Sequence, residues 1–292
     1  MKQASQTKTT KPILRFAPSP NGYLHLGHAY SALVTADLAK KLKGVWLLRI
    51  EDIDQKRSKP KFIEAIYKDL EWLGLNWPEP VLLQSRRFKE YERAANVLKQ
   101  KNLLYPCFCT RKQTKQNTGP EKDPDGIPLY SGTCKNLTPY EIRQKLNAKI
   151  PMQYRLHMDR AVNMTGPLDF KQIHPEKSMA INIVSCHPER WGDVVVQRKD
   201  IPTSYHLSVV VDDAMQKITH ITRGRDLLAA TDIQRVLQSL LGLPQPIYFH
   251  HELIMDHQQQ KLAKSKGSTG LKDLKKAGID PDKLRKNFHF CK

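Results

Sequence analysis

Apolar residues recur near helical spacing across positions 29–43, directly after a segment that cannot be helical. The spaced residues are Leu33, Val34, Leu38 and Leu42, and the lysines Lys40, Lys41 and Lys43 gather at the C-terminal end, where cations suit the helix dipole. Phe16–Pro20 contains two prolines, which keep the backbone extended, and Asn21–Gly22 favours a turn. The pattern therefore predicts a short strand, a turn, and a helix that begins near His25 and His28.

The predicted start of this helix is suited to bind an anion. Backbone N–H groups without helical partners and the positive end of the helix dipole face outward there. Gly27, between the two histidines, lets a ligand approach the backbone. Two histidines beside a glycine are also common as ordinary surface or core residues, so the spacing alone leaves both interpretations open.

Three other segments end apolar runs with polar groups. Leu47–Asp54 starts as an apolar strand and ends in acids, which is where ligand groups lie on a parallel strand. Glu51 is then a good acceptor for a substrate ammonium group, unless the acids only form a solvated turn. Tyr205–Asp213 reads as a second strand, and Ile218–Leu228 reads as strand, turn and helix start. Arg223 in this last segment is, without further context, an ordinary loop cation.

The balance of charge is strongly basic. The chain of 292 residues has 48 Lys and Arg against 29 Asp and Glu, a formal net charge of +19. This favours a polyanionic partner or an anionic surface, although a basic proteome would give the same balance. No apolar stretch could span a bilayer core of about 30 Å, and residues 1–10 lack a signal-peptide core. We expect a soluble, cytoplasmic protein whose residues 1–11 form a disordered basic arm.

Two motifs now give a family resemblance. The segment His25-Leu-Gly-His28 resembles the HIGH signature of class I aminoacyl-tRNA synthetases, and the RFAPSP segment at 15–20 resembles the leader of their glutamyl branch. Farther on, Lys261–Ser265 (KLAKS) resembles the KMSKS signature. A lysine-rich loop is usually only a solvated face, but this one lies in the expected order after the first motif. The resemblance covers about Ile13 to Lys266.

The resemblance implies roles for individual residues. It implies that Lys264 grips the phosphates of ATP, which is accompanied by Mg²⁺, and that Arg223 pairs with the side-chain carboxylate of glutamate. The implied catalytic residues are His25, His28 and Lys264; the implied glutamate-binding residues are Arg15, Ala17, Ser19, Glu51, Tyr205 and Arg223; the implied ATP-binding residues are His25, Gly27, His28, Lys261, Lys264 and Ser265.

Three of the five cysteines lie around one polar stretch. Cys107 and Cys109 precede a loop at 110–129 with little apolar content, and Cys134 follows it. A metal ion could stabilise such a loop, and an odd number of cysteines argues against a disulfide scaffold. The spacing leaves zinc and buried reduced cysteines as alternatives. The layout resembles the zinc module of one glutamyl-type branch, which implies one Zn²⁺ per chain on Cys107, Cys109, Tyr130 and Cys134.

The resemblance also implies the fold. We expect an α/β protein with the Rossmann-like doubly wound parallel sheet of class I synthetases, a zinc-binding insertion and a short helical C-terminal part. Parallel strands are expected at about 13–104 and 181–242. The predicted divisions are a disordered arm at 1–11, the first half of the catalytic domain at 12–106, the insertion at 107–150, the second half at 151–245, and the KMSKS-like loop with a helical segment at 246–292.

We expect no anticodon-binding domain, because such a domain needs roughly 100 residues and 26 residues run from Gly267 to Lys292. The pattern resembles a stand-alone branch that attaches glutamate to the queuosine base in the anticodon of tRNA(Asp). This implies ATP-dependent formation of glutamyl-adenylate, which needs no general base because the carboxylate is already ionised, followed by transfer to tRNA(Asp) carrying queuosine. We expect a monomer.

Two alternatives remain open at this point. One is a glutamyl-tRNA synthetase core that charges tRNA(Glu) with the help of a separate anticodon-binding chain. The other is a non-catalytic, basic tRNA-binding paralogue, which the intact motif residues disfavour.

Overall fold

The computed structural model describes residues 11–116, 119–174, 179–254 and 270–288, and all structural statements refer to these ranges. Strands and helices alternate along most of the chain, as an α/β fold requires. The strands are β1 Ile13–Phe16, β2 Val45–Ile50, β3 Leu82–Leu83, β4 Leu104–Cys107, β5 Gln153–Leu156, β6 Asp169–His174, β7 Ala180–Ser185, β8 Val195–Gln197, β9 His220–Gly224 and β10 Ile247–His251. The helices are α1 Leu26–Lys41, α2 Pro60–Trp72, α3 Phe88–Gln100, α4 Arg111–Gln116, α5 Pro139–Asn147, α6 Met158–Thr165, α7 Tyr205–Met215, α8 Thr231–Leu241, α9 Leu271–Lys276 and α10 Pro281–Asn287.

The central layer is a parallel sheet built from two halves of the chain. In the first half β1 pairs with β2 and β2 with β3, and in the second half β9 pairs with β10 and β10 with β6, all in parallel. The halves meet where β1 lies beside β9, because the N–H of Thr219 donates to the carbonyl of Ile13 (2.8 Å). The predicted Rossmann-like architecture is confirmed. The prediction of parallel strands at 181–242 is wrong for β7, which pairs antiparallel with β6, and for β8, which pairs antiparallel with β5.

A separate antiparallel sheet follows the first half. Its order is β4-β5-β8, so it joins a strand that enters the predicted insertion with two strands that lie after residue 151. Helices α4 and α5 lie in the insertion, between β4 and β5. The division of the catalytic domain at residue 151 therefore stays a prediction, since the antiparallel sheet spans it.

The prediction of a strand at Tyr205–Asp213 is wrong, because this segment forms helix α7. Ser204 caps this helix, because its hydroxyl accepts a hydrogen bond from the N–H of Leu207. The helix is buried on most of its surface, including Val209 and Val210. A short apolar run that is buried on several sides has no visible period, so it can be mistaken for a buried strand.

The two short C-terminal helices pack against the first half of the sheet. Leu271 in α9 is fully buried, and its N–H donates to the carbonyl of Leu24, just before α1. Lys275 pairs with Asp69 of α2 (2.6 Å). These contacts confirm the predicted helical C-terminal part. Among the described residues, no helix has both the length and the apolar character needed to cross a membrane.

Candidate active site

A cavity of about 710 Å³ opens where the carboxyl ends of β1, β2, β9 and β10 meet the first turn of α1. This is the edge at which doubly wound sheets bind ligands. The cavity brings together nine of the residues predicted from the sequence: Arg15, Ala17, Ser19, His25, Gly27, His28, Glu51, Tyr205 and Arg223. The predicted residues Lys261, Lys264 and Ser265 lie outside the described residues.

The first turn of α1 fixes the two histidines. His25 is the N-cap residue, and the N–H of Gly27 donates to its Nδ1 (3.1 Å). The N–H of His25 in turn donates to Nδ1 of His28 (3.3 Å), and the two rings lie 3.9 Å apart. Because each Nδ1 accepts a hydrogen bond, the proton of each neutral ring is on Nε2. The pair is therefore held in the tautomer that donates from Nε2.

Gly27 leaves room for this arrangement. A Cβ at this position would lie 3.0 Å from Cε1 of His25, closer than a side chain normally tolerates. The glycine thus makes room for the capping imidazole. This is a second reason for a glycine in the motif, in addition to the predicted close approach of a ligand to the backbone.

The floor of the cavity is a buried network of charges. The side chain of Arg49 is completely buried, and its guanidinium pairs with Asp213 (2.7 Å) and with Glu51 (3.0 Å). Arg15 pairs with the same Asp213 through Nε (3.0 Å) and donates to the carbonyl of Thr222 (3.2 Å). Two guanidinium groups and two carboxylates therefore balance within the protein. Arg49 and Asp213 were not predicted from the sequence.

The two carboxyl groups of this network have pKa values shifted in opposite directions. Burial raises the pKa of Glu51, and the nearby Arg49 and Arg15 only partly offset this effect. Burial also acts to raise the pKa of Asp213, but its close pairs with Arg15 and Arg49 outweigh burial and hold it below the ordinary value. A cation bound beside Glu51 would bring its pKa back down.

Arg223, at the end of β9, forms a wall of the cavity and has neutral partners. The residue is only 4% exposed. Its guanidinium donates to Nε2 of His250 (3.1 Å), to Oε1 of Gln234 (2.7 Å) and to the hydroxyl of Thr231 (2.6 Å). Within residues 11–116, 119–174, 179–254 and 270–288, no carboxylate forms an ion pair with it. The positive charge is therefore held in place without being neutralised.

His250 is held neutral next to this charge. Burial and the nearby Arg223 lower the pKa of His250 to about 2. Its Nε2 accepts from Arg223, and its Nδ1 lies 2.9 Å from Oε1 of Gln172, so the ring proton is on Nδ1. This support for Arg223 was not predicted from the sequence. A usable signal was the spacing of the polar residues Thr231, Gln234 and Gln238, which lie on one face of helix α8 and are all buried.

Tyr205 lies at the first position of α7 and also lines the cavity. Burial raises the pKa of its hydroxyl, while Arg223 acts in the opposite direction. The tyrosine thus stays neutral and presents a hydrogen-bonding hydroxyl near Arg223, although the segment that carries it is a helix rather than the predicted strand.

A second cluster lies at the end of β4. The sulfur atoms of Cys107, Cys109 and Cys134 all lie within 4.8 Å of one another. The hydroxyl of Tyr130 is 3.4 Å from the sulfur of Cys107 and 3.6 Å from that of Cys109. Three thiols and one phenol oxygen make four donors, which is the number that a structural zinc ion takes. This cluster could hold a metal ion.

The charge state of the thiols depends on their neighbours. Burial acts to raise the pKa of Cys107, but hydrogen bonds with Tyr130 and Arg155 outweigh it and lower the pKa to about 7. Burial raises the pKa of Cys109 to about 11. Arg155 also covers the ring of Tyr130 at 3.8 Å. A metal cation bound by these groups would stabilise their thiolate forms.

Comparison with known proteins gives one consistent family. Residues 13–289 match the family model described as "tRNA synthetases class I (E and Q), catalytic domain". A glutamyl-Q tRNA(Asp) synthetase from Rhodobacter capsulatus is 43% identical over 94% of this chain and 98% of its own length. A glutamate–tRNA ligase from Coprothermobacter proteolyticus is 34% identical over 94% of this chain, but over only 56% of its own length.

A solved structure agrees with these relatives. The crystal structure of a glutamate tRNA ligase from Elizabethkingia meningosepticum, in complex with its amino acid, superposes with a TM-score of 0.70 at 27% identity. The match covers 92% of this chain and 53% of that protein, so the present chain spans about half of the solved ligase.

Proposed function

This chain belongs to the class I tRNA synthetases of the E and Q catalytic-domain family, and we propose that it activates L-glutamate with ATP and transfers the glutamyl group to queuosine in the anticodon of tRNA(Asp). It is an adenylate-forming ligase of that family. The relative from Rhodobacter capsulatus, which aligns over nearly its whole length, has a name that describes this reaction. The observation that carries the choice of glutamate is the buried Arg223 with neutral partners only.

Glutamate is complementary to the cavity at both ends. Its side-chain carboxylate would supply the negative charge that Arg223 lacks, and a guanidinium can bind both oxygens at once. Its ammonium group would lie against Glu51, on the floor of the cavity. Glutamine would leave the charge of Arg223 unpaired in a buried site, which is costly.

The first step needs positioning rather than a base. The α-carboxylate of glutamate attacks the α-phosphate of ATP, forming glutamyl-adenylate and releasing pyrophosphate. Negative charge develops on the phosphate oxygens, so donors at the start of α1 stabilise it, as the Nε2–H groups of His25 and His28 and the helix dipole would. Lys264, in the KMSKS-like segment, is proposed to bind the phosphates of ATP, which enters the cavity together with Mg²⁺.

The second step transfers the acyl group. A hydroxyl of the queuosine cyclopentenediol attacks the carbonyl carbon of the adenylate, so that an ester forms and AMP leaves. The reacting base must then be out of its stack and inside the cavity, as is usual for recognition of RNA loops. The net charge of +19 supports binding of the surrounding phosphates.

We also propose that the cluster of Cys107, Cys109, Tyr130 and Cys134 holds one structural Zn²⁺. The fit is supported by the converging thiols, by the lowered pKa of Cys107 and by the position of the Tyr130 hydroxyl. Bound there, the ion would tie the loop between Cys109 and Cys134 to β4. Such an ion supplies folding free energy rather than chemistry at the cavity.

The acceptor is tested by transfer of labelled glutamate to three RNAs: tRNA(Asp) with queuosine, tRNA(Asp) with guanine at the same position, and tRNA(Glu). We expect label only on the first, in an ester that survives removal of the 3′ terminal nucleotides. Label on the 3′ end of tRNA(Glu) would instead support a glutamyl-tRNA synthetase core, and equal labelling of both forms of tRNA(Asp) would refute recognition of queuosine.

A further inference from the structure

An exposed aromatic side chain lies beside the cavity but does not line it. Tyr23 is 39% exposed, although its neighbours Asn21 and His25 both face the cavity. Its ring makes a T-shaped contact with Phe62 of α2, with the ring centroids 5.1 Å apart and the planes at 87°. One aromatic ring is thus fixed in position by another while much of it stays open to solvent.

Two lysines from different helices lie over these rings. Nζ of Lys272 is 4.9 Å from the centroid of Tyr23, and Nζ of Lys61 is 5.2 Å from the centroid of Phe62. Both lysines are exposed. The four residues Tyr23, Lys61, Phe62 and Lys272, which we call the Tyr23 platform, therefore combine an open aromatic ring with two cations.

The positive charge of the platform is not cancelled by nearby acids. Among the residues that the structure describes, neither Lys61 nor Lys272 forms an ion pair. The acids nearest in sequence are engaged elsewhere: Glu64 pairs with Lys68, and Asp273 accepts from the N–H of Gly270. The platform thus offers its charge to a partner outside the chain.

The platform is tied rigidly to the mouth of the cavity. The N–H of Leu271 donates to the carbonyl of Leu24 (2.9 Å), which places the start of α9 beside Tyr23. The N–H of Lys59 donates to the carbonyl of Pro20 (3.3 Å), which places the start of α2 on the other side. The helix starts that carry Lys61 and Lys272 are therefore held in place relative to the histidines of α1.

We propose that the Tyr23 platform stacks the nucleotide next to the reacting base and binds its phosphates. An aromatic ring flanked by cations is the arrangement that binds single-stranded RNA, since the ring stacks a base and the lysines contact the backbone. A nucleotide held there would be adjacent to one whose base enters the cavity. The inference rests on the proposed function, because it takes the anticodon loop of tRNA(Asp) as the occupant.

The test uses an RNA hairpin with the sequence of the tRNA(Asp) anticodon stem-loop, carrying 2-aminopurine beside the queuosine position. Stacking quenches the fluorescence of this base. We expect the unsubstituted protein to quench it, Tyr23→Phe to preserve the quenching, and Tyr23→Ala to abolish it and weaken binding about tenfold. Lys272→Met should lower the dependence of log Kd on log salt concentration by about one. Tyr140→Ala, which removes another exposed tyrosine (63%), is the matched control.

Two further results separate this inference from the proposed function. Quenching by the wild-type protein without any transfer of glutamate to tRNA(Asp) would support the platform and refute the function. Transfer by Tyr23→Ala at the wild-type KM for tRNA, or weakening by Tyr140→Ala equal to that by Tyr23→Ala, would overturn the platform and leave the function standing. ATP–pyrophosphate exchange on the same preparations reports whether the cavity is intact.

Discussion

The floor and the wall of the cavity each contain a buried arginine, but only the arginine on the floor is paired with carboxylates. On the floor, Arg49 is fully buried and has two carboxylate partners, Asp213 and Glu51. On the wall, Arg223 is 4% exposed, and its partners are an imidazole, an amide and a hydroxyl. Both guanidinium groups are held by several hydrogen bonds, so they differ in charge balance rather than in rigidity.

This difference separates a structural role from a binding role. A buried charge is costly unless it is paired, and the floor meets this requirement inside the protein. On the wall, the charge of Arg223 would be paired only when an anion occupies the cavity. If glutamate binds as proposed, part of its binding free energy comes from pairing the charge of Arg223, and the same property would discriminate against glutamine.

Removing Arg49 should produce the largest change, and it should affect folding. Arg49→Met leaves Asp213 and Glu51 buried with one cation fewer, so we expect the free energy of unfolding to fall by about 3–5 kcal/mol. Urea denaturation followed by circular dichroism measures this loss. A loss below about 1 kcal/mol would show that the floor is not held together by this pair.

Removing Arg223 should instead affect activation of glutamate. Arg223→Met strands no opposite charge in the free protein, so it should cost less than half as much unfolding free energy as Arg49→Met. The value of kcat/KM for glutamate in ATP–pyrophosphate exchange should fall about 100-fold or more, because the buried carboxylate of the substrate loses a charged, two-pronged partner.

Two variants sharpen this result. Arg223→Lys keeps the charge but loses the planar fork, and we expect it to recover only part of the activity. Arg160→Met, at an exposed position whose guanidinium donates to the carbonyl of Asn102, controls for loss of a cation alone. If Arg223→Met kept near wild-type exchange activity, Arg223 would not be part of the glutamate site.

Glu51 should give a smaller effect that depends on pH. Its pKa is raised, so it becomes protonated at a higher pH than an ordinary glutamate does, and the protonated group cannot pair with an ammonium. We therefore expect the KM for glutamate to rise as the pH falls through weakly acidic values. Glu51→Gln should raise the KM about tenfold at neutral pH and flatten this dependence. An unchanged pH profile in the variant would contradict the role.

The cysteine cluster extends the comparison to a third region, with the smallest expected effect on activation. Protein purified without chelator should contain one zinc per chain by atomic absorption, and the double variant Cys109→Ser/Cys134→Ser should contain almost none. Glutamate activation should change less than about threefold, since these residues do not line the cavity. Full zinc retention by the double variant, or metal-free wild-type protein, would show that the cluster is a set of reduced cysteines rather than a zinc site.

The sequence predicted the parts of the site that depend on local order. His25 and His28 could be placed at a helix start because prolines and a turn precede a periodic apolar segment, and Glu51 could be placed at the end of an apolar strand. The parallel strands then bring these groups together with Arg223, since their carboxyl ends share one edge. The family resemblance supplied the proposed role of Arg223.

The sequence did not predict the partners that give each arginine its character. Arg49 and Asp213 lie 164 positions apart, and only the folded sheet shows that they pair. His250 and Gln234 likewise come from different elements. The arginine in the apolar strand VWLLRI was a signal that a buried partner must exist, but nothing local identified that partner. Helix α7 was missed because a helix that is buried nearly all round lacks the period that marks a surface helix.

The most direct test of the central claim is the choice between glutamate and glutamine in ATP–pyrophosphate exchange, measured on the wild-type protein and on Arg223→Met with and without added tRNA. If Arg223 binds the side-chain carboxylate of the substrate, the wild-type protein should prefer glutamate over glutamine by about 100-fold or more. Most of that preference should disappear in Arg223→Met. Equal use of glutamine by the wild-type protein, or a preference that survives loss of Arg223, would contradict the account.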